Sequence, residues 1–88
     1  MNTAFRESFD KDLSALADTG MLRRIRRMQR PGSFDLFDDE IPNLKRLETK
    51  GKYFRIRIGD YRVGLVFEEG EVTFVRCLHR REIYRYFP

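Results

Sequence analysis

The sequence predicts an α+β domain, an N-terminal helical hairpin packed on a small antiparallel β-sheet. Three observations predict it. Apolar residues in the first third recur at three- and four-residue spacings, the second half alternates apolar with polar, and Gly-bearing pairs at 59–60 and 69–70 separate the alternating runs. The 88 residues make a single domain, 1–88, with one small core.

Phe5, Phe9, Leu13 and Leu16 lie four, four and three residues apart, the stripe of one helix face. Thr19-Gly20 reads as the stop between helices. Leu22, Ile25 and Met28 carry a spacing of three into a second helix, which Pro31-Gly32 ends. Neither helix can bury its apolar side alone, so a sheet must cover both. Residues 53–58, 61–67 and 72–78 read as strands. Gly59-Asp60 suits a type II′ hairpin, Glu69-Gly70 joins the next pair, and Pro42 and Lys50-Gly51-Lys52 are loop material.

Composition excludes several function classes. Hydrophobic residues at 41% and aromatics at 14% argue for a folded chain. No apolar run approaches the roughly 18 residues of a membrane span, and 1–9 lack the build of a secretory signal. One cysteine, Cys77, makes no internal disulfide, so the expected compartment is the reducing cytoplasm. One histidine, His79, builds no His-rich metal site, and neither a metal nor a small-molecule cofactor is expected. Of the 18 basic residues 14 are Arg, the residue for forked contact with phosphate and for stacking on bases. The net +4 hides alternating blocks: −2 over 1–19, +5 over 20–31, −4 over 32–43, +5 over 44–62, −3 over 63–75 and +3 over 76–88.

The hairpin register carries the functional argument. A two-residue loop at 59–60 sets Ile58 opposite Tyr61, Arg57 opposite Arg62, Ile56 opposite Val63, Arg55 opposite Gly64 and Phe54 opposite Leu65. Side chains alternate faces, so Phe54, Ile56, Ile58, Tyr61, Val63 and Leu65 should meet the helices. The other face carries Tyr53, Arg55, Arg57, Arg62 and Val66, with Gly64 leaving an open spot beside Arg55. Like charges directly across a strand pair are unfavourable on a scale of ~0.2–1 kcal/mol. Three converging arginines therefore point to an anionic ligand. The alternatives are that their heads splay into water or that acids from 35–40 neutralise them.

Continued through the second turn, the register sets Phe67 opposite Val72, Leu65 opposite Phe74 and Arg62 opposite Cys77. Cys77 and His79 then fall on the arginine face. Arg76 falls on the apolar face opposite Val63, a conflict that either snorkelling at a sheet edge or a bulge would resolve. The tail from His79 to Pro88 interleaves cations and rings, as single-stranded RNA binding requires. Tyr86 and Phe87 are expected to anchor it in the core, with Tyr84 less tied to such a role.

Three runs in this order, Ile41-Pro42-Asn43-Leu44-Lys45-Arg46-Leu47, Tyr53-Phe54-Arg55-Ile56-Arg57-Ile58-Gly59-Asp60-Tyr61-Arg62-Val63 and His79-Arg80-Arg81-Glu82-Ile83-Tyr84, closely resemble the RelE/ParE superfamily. These are the toxin halves of bacterial type II toxin–antitoxin modules, and the RelE branch looks closer. The resemblance covers nearly the whole chain. It implies the RelE-like microbial-RNase-type fold, a cognate antitoxin and the ribosome with A-site mRNA as partners, and mRNA cleavage that inhibits translation. It also implies catalytic positions at Arg55, Arg57, Arg62, Arg81 and Tyr84. Lys45, Arg46, Lys52, His79, Arg80 and Arg85 are assigned to RNA binding around them. RelE-like toxins often carry Lys where Arg55 and Arg57 stand; Arg holds phosphate but does not readily accept a proton.

The implied reaction needs no metal: the substrate 2′-OH attacks the adjacent phosphodiester, giving a 2′,3′-cyclic phosphate and a 5′-OH. Tyr84 or His79 is the proton-transfer candidate; His79 has the better ordinary pKa, Tyr84 the better family precedent. The rival readings are a ParE-like inhibitor of DNA gyrase and a basic RNA- or partner-binding module without catalysis.

Overall fold

The structure is a computed structural model that describes residues 2–28, 44–46 and 52–87, with residues 2, 28 and 44–46 described by backbone alone. The expected helix end at Pro31-Gly32, the acidic strip 35–40, Pro42 and Lys50-Gly51 lie outside the described residues.

The chain opens with a strand, β1 (Asn2–Phe5), followed by helices α1 (Glu7–Ser14) and α2 (Thr19–Met28). Strands β2 (Leu44–Arg46), β3 (Tyr53–Ile58), β4 (Tyr61–Glu68) and β5 (Glu71–His79) follow, then a one-turn helix α3 (Ile83–Tyr86). The strands form one five-stranded sheet in the order β1-β5-β4-β3-β2. No described helix is long and apolar enough to cross a membrane.

The α+β class stands, with one correction: the sheet is mixed, because β1 pairs parallel with β5, Asn2 level with Glu71 and Phe5 with Phe74. Phe5 therefore begins no helix. Its ring still lies 6.2 Å from Phe9 and 5.1 Å from Phe74, so it joins the apolar group its spacing predicted from a strand instead of a helix. The second correction concerns Thr19-Gly20, which opens α2 and does not stop α1. Asp18 Oδ1 accepts the Met21 N–H at 3.0 Å, the bond of an N-cap to its third helical residue.

Phe9 and Leu13 of α1 and Met21 and Ile25 of α2 pack on Ile56, Ile58, Val63, Leu65, Val72, Phe74 and Cys77. This is the helix-facing side foreseen for the hairpin. All five predicted β3–β4 pairs are present, from Phe54↔Leu65 to Ile58↔Tyr61, and Tyr53↔Val66 extends them. Gly59 at φ 57 supplies the left-handed residue the tight turn requires.

The β4–β5 ladder departs from the simple register. Leu65 pairs with Phe74 as expected, but Gly64 pairs with Arg76, so Val75 is the extra residue of a β-bulge. Beyond it every side chain changes face. Cys77 pairs with Val63 and is buried in the core, and His79 pairs with Tyr61. Neither lies on the arginine face, contrary to the uninterrupted register. The bulge also removes the Arg76 conflict, since Arg76 now shares the face of Gly64.

Two α1 side chains secure the bulge. Ser8 Oγ donates to the Val75 carbonyl at 2.6 Å, and Asp12 Oδ2 accepts the Cys77 N–H at 2.9 Å. Asp12 also takes the Arg76 guanidinium in a forked pair at 2.8 and 3.0 Å. Burial pushes the Cys77 thiol up to about 12, with Asp12 adding to the shift.

Candidate RNA-cleavage face

The face of the sheet turned away from α1 and α2 is covered in part by the tail. After β5, residues 80–82 turn the chain and α3 lies back over the sheet. Ile83 is fully buried and Phe87 nearly so. The Phe87 ring lies over Gly64: a Cβ there would sit 2.7 Å from two of its ring carbons. The open spot beside Arg55 is thus filled by Phe87, which also meets Tyr53 edge-on at 5.8 Å between ring centroids. Phe87 is the expected anchor; Tyr86 is not, being 53% exposed.

Around this plug stand the arginines. Arg57 and Arg62 face each other across the hairpin, and Arg55 is level with Gly64. Arg62 Nη1 donates to the carbonyls of Gly59 and Tyr61, both at 2.9 Å. These bonds fix the guanidinium against the turn. Its pKa lies below the ordinary arginine value, first through burial, then through the positive charge of Arg57, with Arg55 and Arg80 adding to the effect and Tyr84 opposing it. The Arg55 guanidinium lies over the Tyr84 ring, 4.6 Å from its centroid, while Tyr84 itself is 70% exposed. Arg55, Arg57, Arg62, Arg80 and Tyr84 therefore form one electrostatic group beside the 59–60 turn.

The other expected site residues are placed differently. Arg81 is exposed on the turn after β5. Its backbone N–H donates to His79 Nδ1 at 3.2 Å. The His79 ring packs edge-on against Tyr61 at 5.7 Å. Arg80 adds a backbone bond to the Asp60 carbonyl at 2.8 Å and a loose ion pair with its carboxylate at 3.9 Å. Lys52 sits beyond the other end of the hairpin, paired with Glu68 at 3.5 Å. Arg85 is exposed on α3. Lys45 is level with Arg55 and Arg46 with Phe54 in the β2–β3 ladder.

Sequence reasoning did not seat Phe87 on Gly64, and it missed the contact of Arg76 with Tyr86. Gly64 inside a strand was a usable signal for the seat, because a strand glycine often marks close approach of another group. Arg76 carried no such signal until the bulge was known. Its guanidinium lies 5.2 Å from the Tyr86 ring centroid while its Nε and Nη2 hold Asp12.

Chemically, a cluster of guanidinium groups with one exposed tyrosine can hold a phosphodiester and stabilise negative charge developing on it. No protein-family model matches the chain. It is 33% identical over 93 residues to toxin RelE3 of Methanocaldococcus jannaschii, covering all of both chains. The crystal structure of a RelB–RelE antitoxin–toxin complex from Methanococcus jannaschii matches with a TM-score of 0.73 at 32% identity, over 97% of this chain and 99% of that one. The archaeal RelE–RelB complex of Pyrococcus horikoshii shares the fold at a TM-score of 0.69 and 20% identity, over 90% of this chain and 93% of that one. The Escherichia coli DinJ–YafQ toxin–antitoxin complex does so at 0.68 and 11%, over 94% and 96%.

Proposed function

The chain belongs to the RelE toxin family, and from that premise we propose that it is a ribosome-dependent mRNA endoribonuclease held in check by a cognate antitoxin. The observation that carries this reading is the convergence of Arg55, Arg57, Arg62 and Tyr84 on a sheet face turned away from the helical layer. Their mutual repulsion is unfavourable in the free protein and is relieved by a bound phosphate. The Methanococcus jannaschii and Pyrococcus horikoshii neighbours are complexes with RelB, which supports an antitoxin as partner. A ribosomal substrate places the activity in the cytoplasm.

In the proposed reaction the mRNA 2′-oxygen attacks the adjacent phosphorus as its proton is withdrawn. The bond to the 5′-oxygen breaks, that oxygen takes up a proton, and a 2′,3′-cyclic phosphate and a 5′-OH result. The Nη1 bonds of Arg62 leave its remaining N–H groups to meet the phosphate, and Arg55 and Arg57 share the charge of the phosphorane. Tyr84 is the proton carrier beside these arginines; His79 is turned to Tyr61 and the helical layer. Arg81 assists the leaving oxygen by bringing its exposed guanidinium in from the turn. Lys45, Arg46, Lys52, Arg80 and Arg85 hold RNA around the reacting phosphate. The ribosome supplies in-line geometry, so free RNA is a poor substrate.

Primer extension on mRNA during translation in vitro tests the reading. Cuts within codons are expected from the wild type, with severe loss in Arg62→Ala and Arg81→Ala. Wild-type cleavage by either variant refutes its assigned role, and loss of DNA supercoiling without mRNA cuts refutes the nuclease itself.

A further inference from the structure

Tyr84 is held from two sides that share no residue. On one side its ring rests on Arg55. On the other, the short helix that carries it is anchored by buried Ile83 and followed by buried Phe87, and between them Tyr86 meets Arg76. Tyr86 is half exposed and buries too little to anchor α3 through apolar contact. Arg76 is different. Its Nε and Nη2 are taken up by Asp12, whose side chain is only 11% exposed and which also accepts the Cys77 N–H. A forked pair with an added backbone bond leaves the guanidinium plane little freedom. The plane thereby becomes a fixed platform for the Tyr86 ring. Asp12 belongs to α1 on one side of the sheet and Tyr86 to α3 on the other, so Arg76 connects the two layers around β5, past the end of β1.

We infer that Arg76, oriented by Asp12, is a positioning residue that acts through the Tyr86 ring to set α3 and so to hold Tyr84 over Arg55. The inference rests on the proposed function for its kinetic consequence, but the placement of Tyr84 is a separate observable. Arg76→Gln keeps a polar side chain, two atoms shorter, and loses the forked pair and the cation. Tyr86→Leu removes the ring from an exposed position, and Tyr86→Phe keeps it.

The experiment labels the tyrosines with fluorine and follows the Tyr84 resonance, assigned with Tyr84→Phe, beside single-turnover cleavage of ribosome-bound mRNA. In Arg76→Gln and Tyr86→Leu the resonance is expected to move toward its position in Arg55→Gln, where the ring has lost its cation. The cleavage rate is expected to fall about tenfold or more, with ribosome affinity unchanged. Tyr86→Phe should match the wild type in both readouts. In a Tyr84→Phe background, Arg76→Gln should cost nothing further. An unmoved Tyr84 resonance in both Arg76→Gln and Tyr86→Leu overturns the inference, as does a full kinetic cost of Arg76→Gln in the Tyr84→Phe background. If wild-type protein cuts no mRNA, the proposed function falls while the resonance still decides whether Arg76 places Tyr84.

Discussion

The seat of the tail can be tested by one methyl group. In Gly64→Ala the new Cβ lies 2.7, 2.7 and 2.8 Å from three carbons of the Phe87 ring. Carbon atoms rest at about 3.5–4.0 Å, so the ring and the strand must part by roughly 1 Å or the ring must leave. The first course overpacks a filled site, at about 1–3 kcal/mol. The second gives up the burial of one Phe, about 1.5–3 kcal/mol. Both routes set the same ceiling, so a loss of about 1–3 kcal/mol is expected in urea denaturation. An 88-residue domain holds only about 4–13 kcal/mol in all, yet the variant remains folded. Trypsin should cut faster after Arg81 or Arg85 because α3 is released first. The same substitution combined with Phe87→Ala, which removes the three clashing carbons, should reverse sign, since alanine is better than glycine inside a strand by about 0.5–1 kcal/mol once the ring is gone. An equal cost of Gly64→Ala with and without Phe87→Ala would refute the seating of Phe87 on Gly64.

Further outcomes follow from the same structure. Asp18→Ala removes the cap bond to Met21 and should destabilise by about 1 kcal/mol, read from thermal unfolding, with Asp18→Asn largely retaining it. The buried Cys77 thiol, pushed up to about 12, should resist alkylation in the native protein at mildly alkaline pH and react once urea unfolds it. The unfolded chain loses that proton at the lower, ordinary thiol value. Stability from this group is therefore intact below about pH 8.5 and falls as pH rises toward about 12, as chemical denaturation at stepped pH will show. A multivalent phosphate such as pyrophosphate should raise the unfolding midpoint at constant ionic strength by binding the folded arginine group. The rise should shrink in Arg62→Gln and persist in Arg27→Gln, on the exposed surface of α2 in the opposite layer.

What could be read from the sequence divides by range. The β3–β4 pairing was legible to the residue because a two-residue turn and a period of two are local facts, and they alone put Arg55, Arg57 and Arg62 on one face. Strand β1 was not legible. Four residues, Asn2–Phe5, show no period of their own, and their conformation comes from the edge of β5. The spacing of Phe5 to Phe9 imitated a helix because both rings converge on Phe74. The place of Tyr84 followed from resemblance, and its contact with Arg55 stands beside a plug, Phe87 on Gly64, that joins positions 23 residues apart.

The bulge is the instructive case, because magnitudes available from sequence favour it. An uninterrupted register puts Arg76 among Val63 and its apolar neighbours. An unpaired charge in that position costs several kcal/mol. A bulge at Val75 forfeits regular pairing for one residue, at about 1 kcal/mol per lost hydrogen bond. Ser8 and Asp12 offset even that by bonding to the Val75 carbonyl and the Cys77 N–H. The bulge therefore wins. Its consequence reaches the site, since one extra residue sends Cys77 into the core, turns His79 toward Tyr61 and brings Arg76 onto the side where α3 docks. Of the two titratable side chains first expected beside the arginines at the end of β5, neither is there, and the tyrosine carried by α3 stands over Arg55.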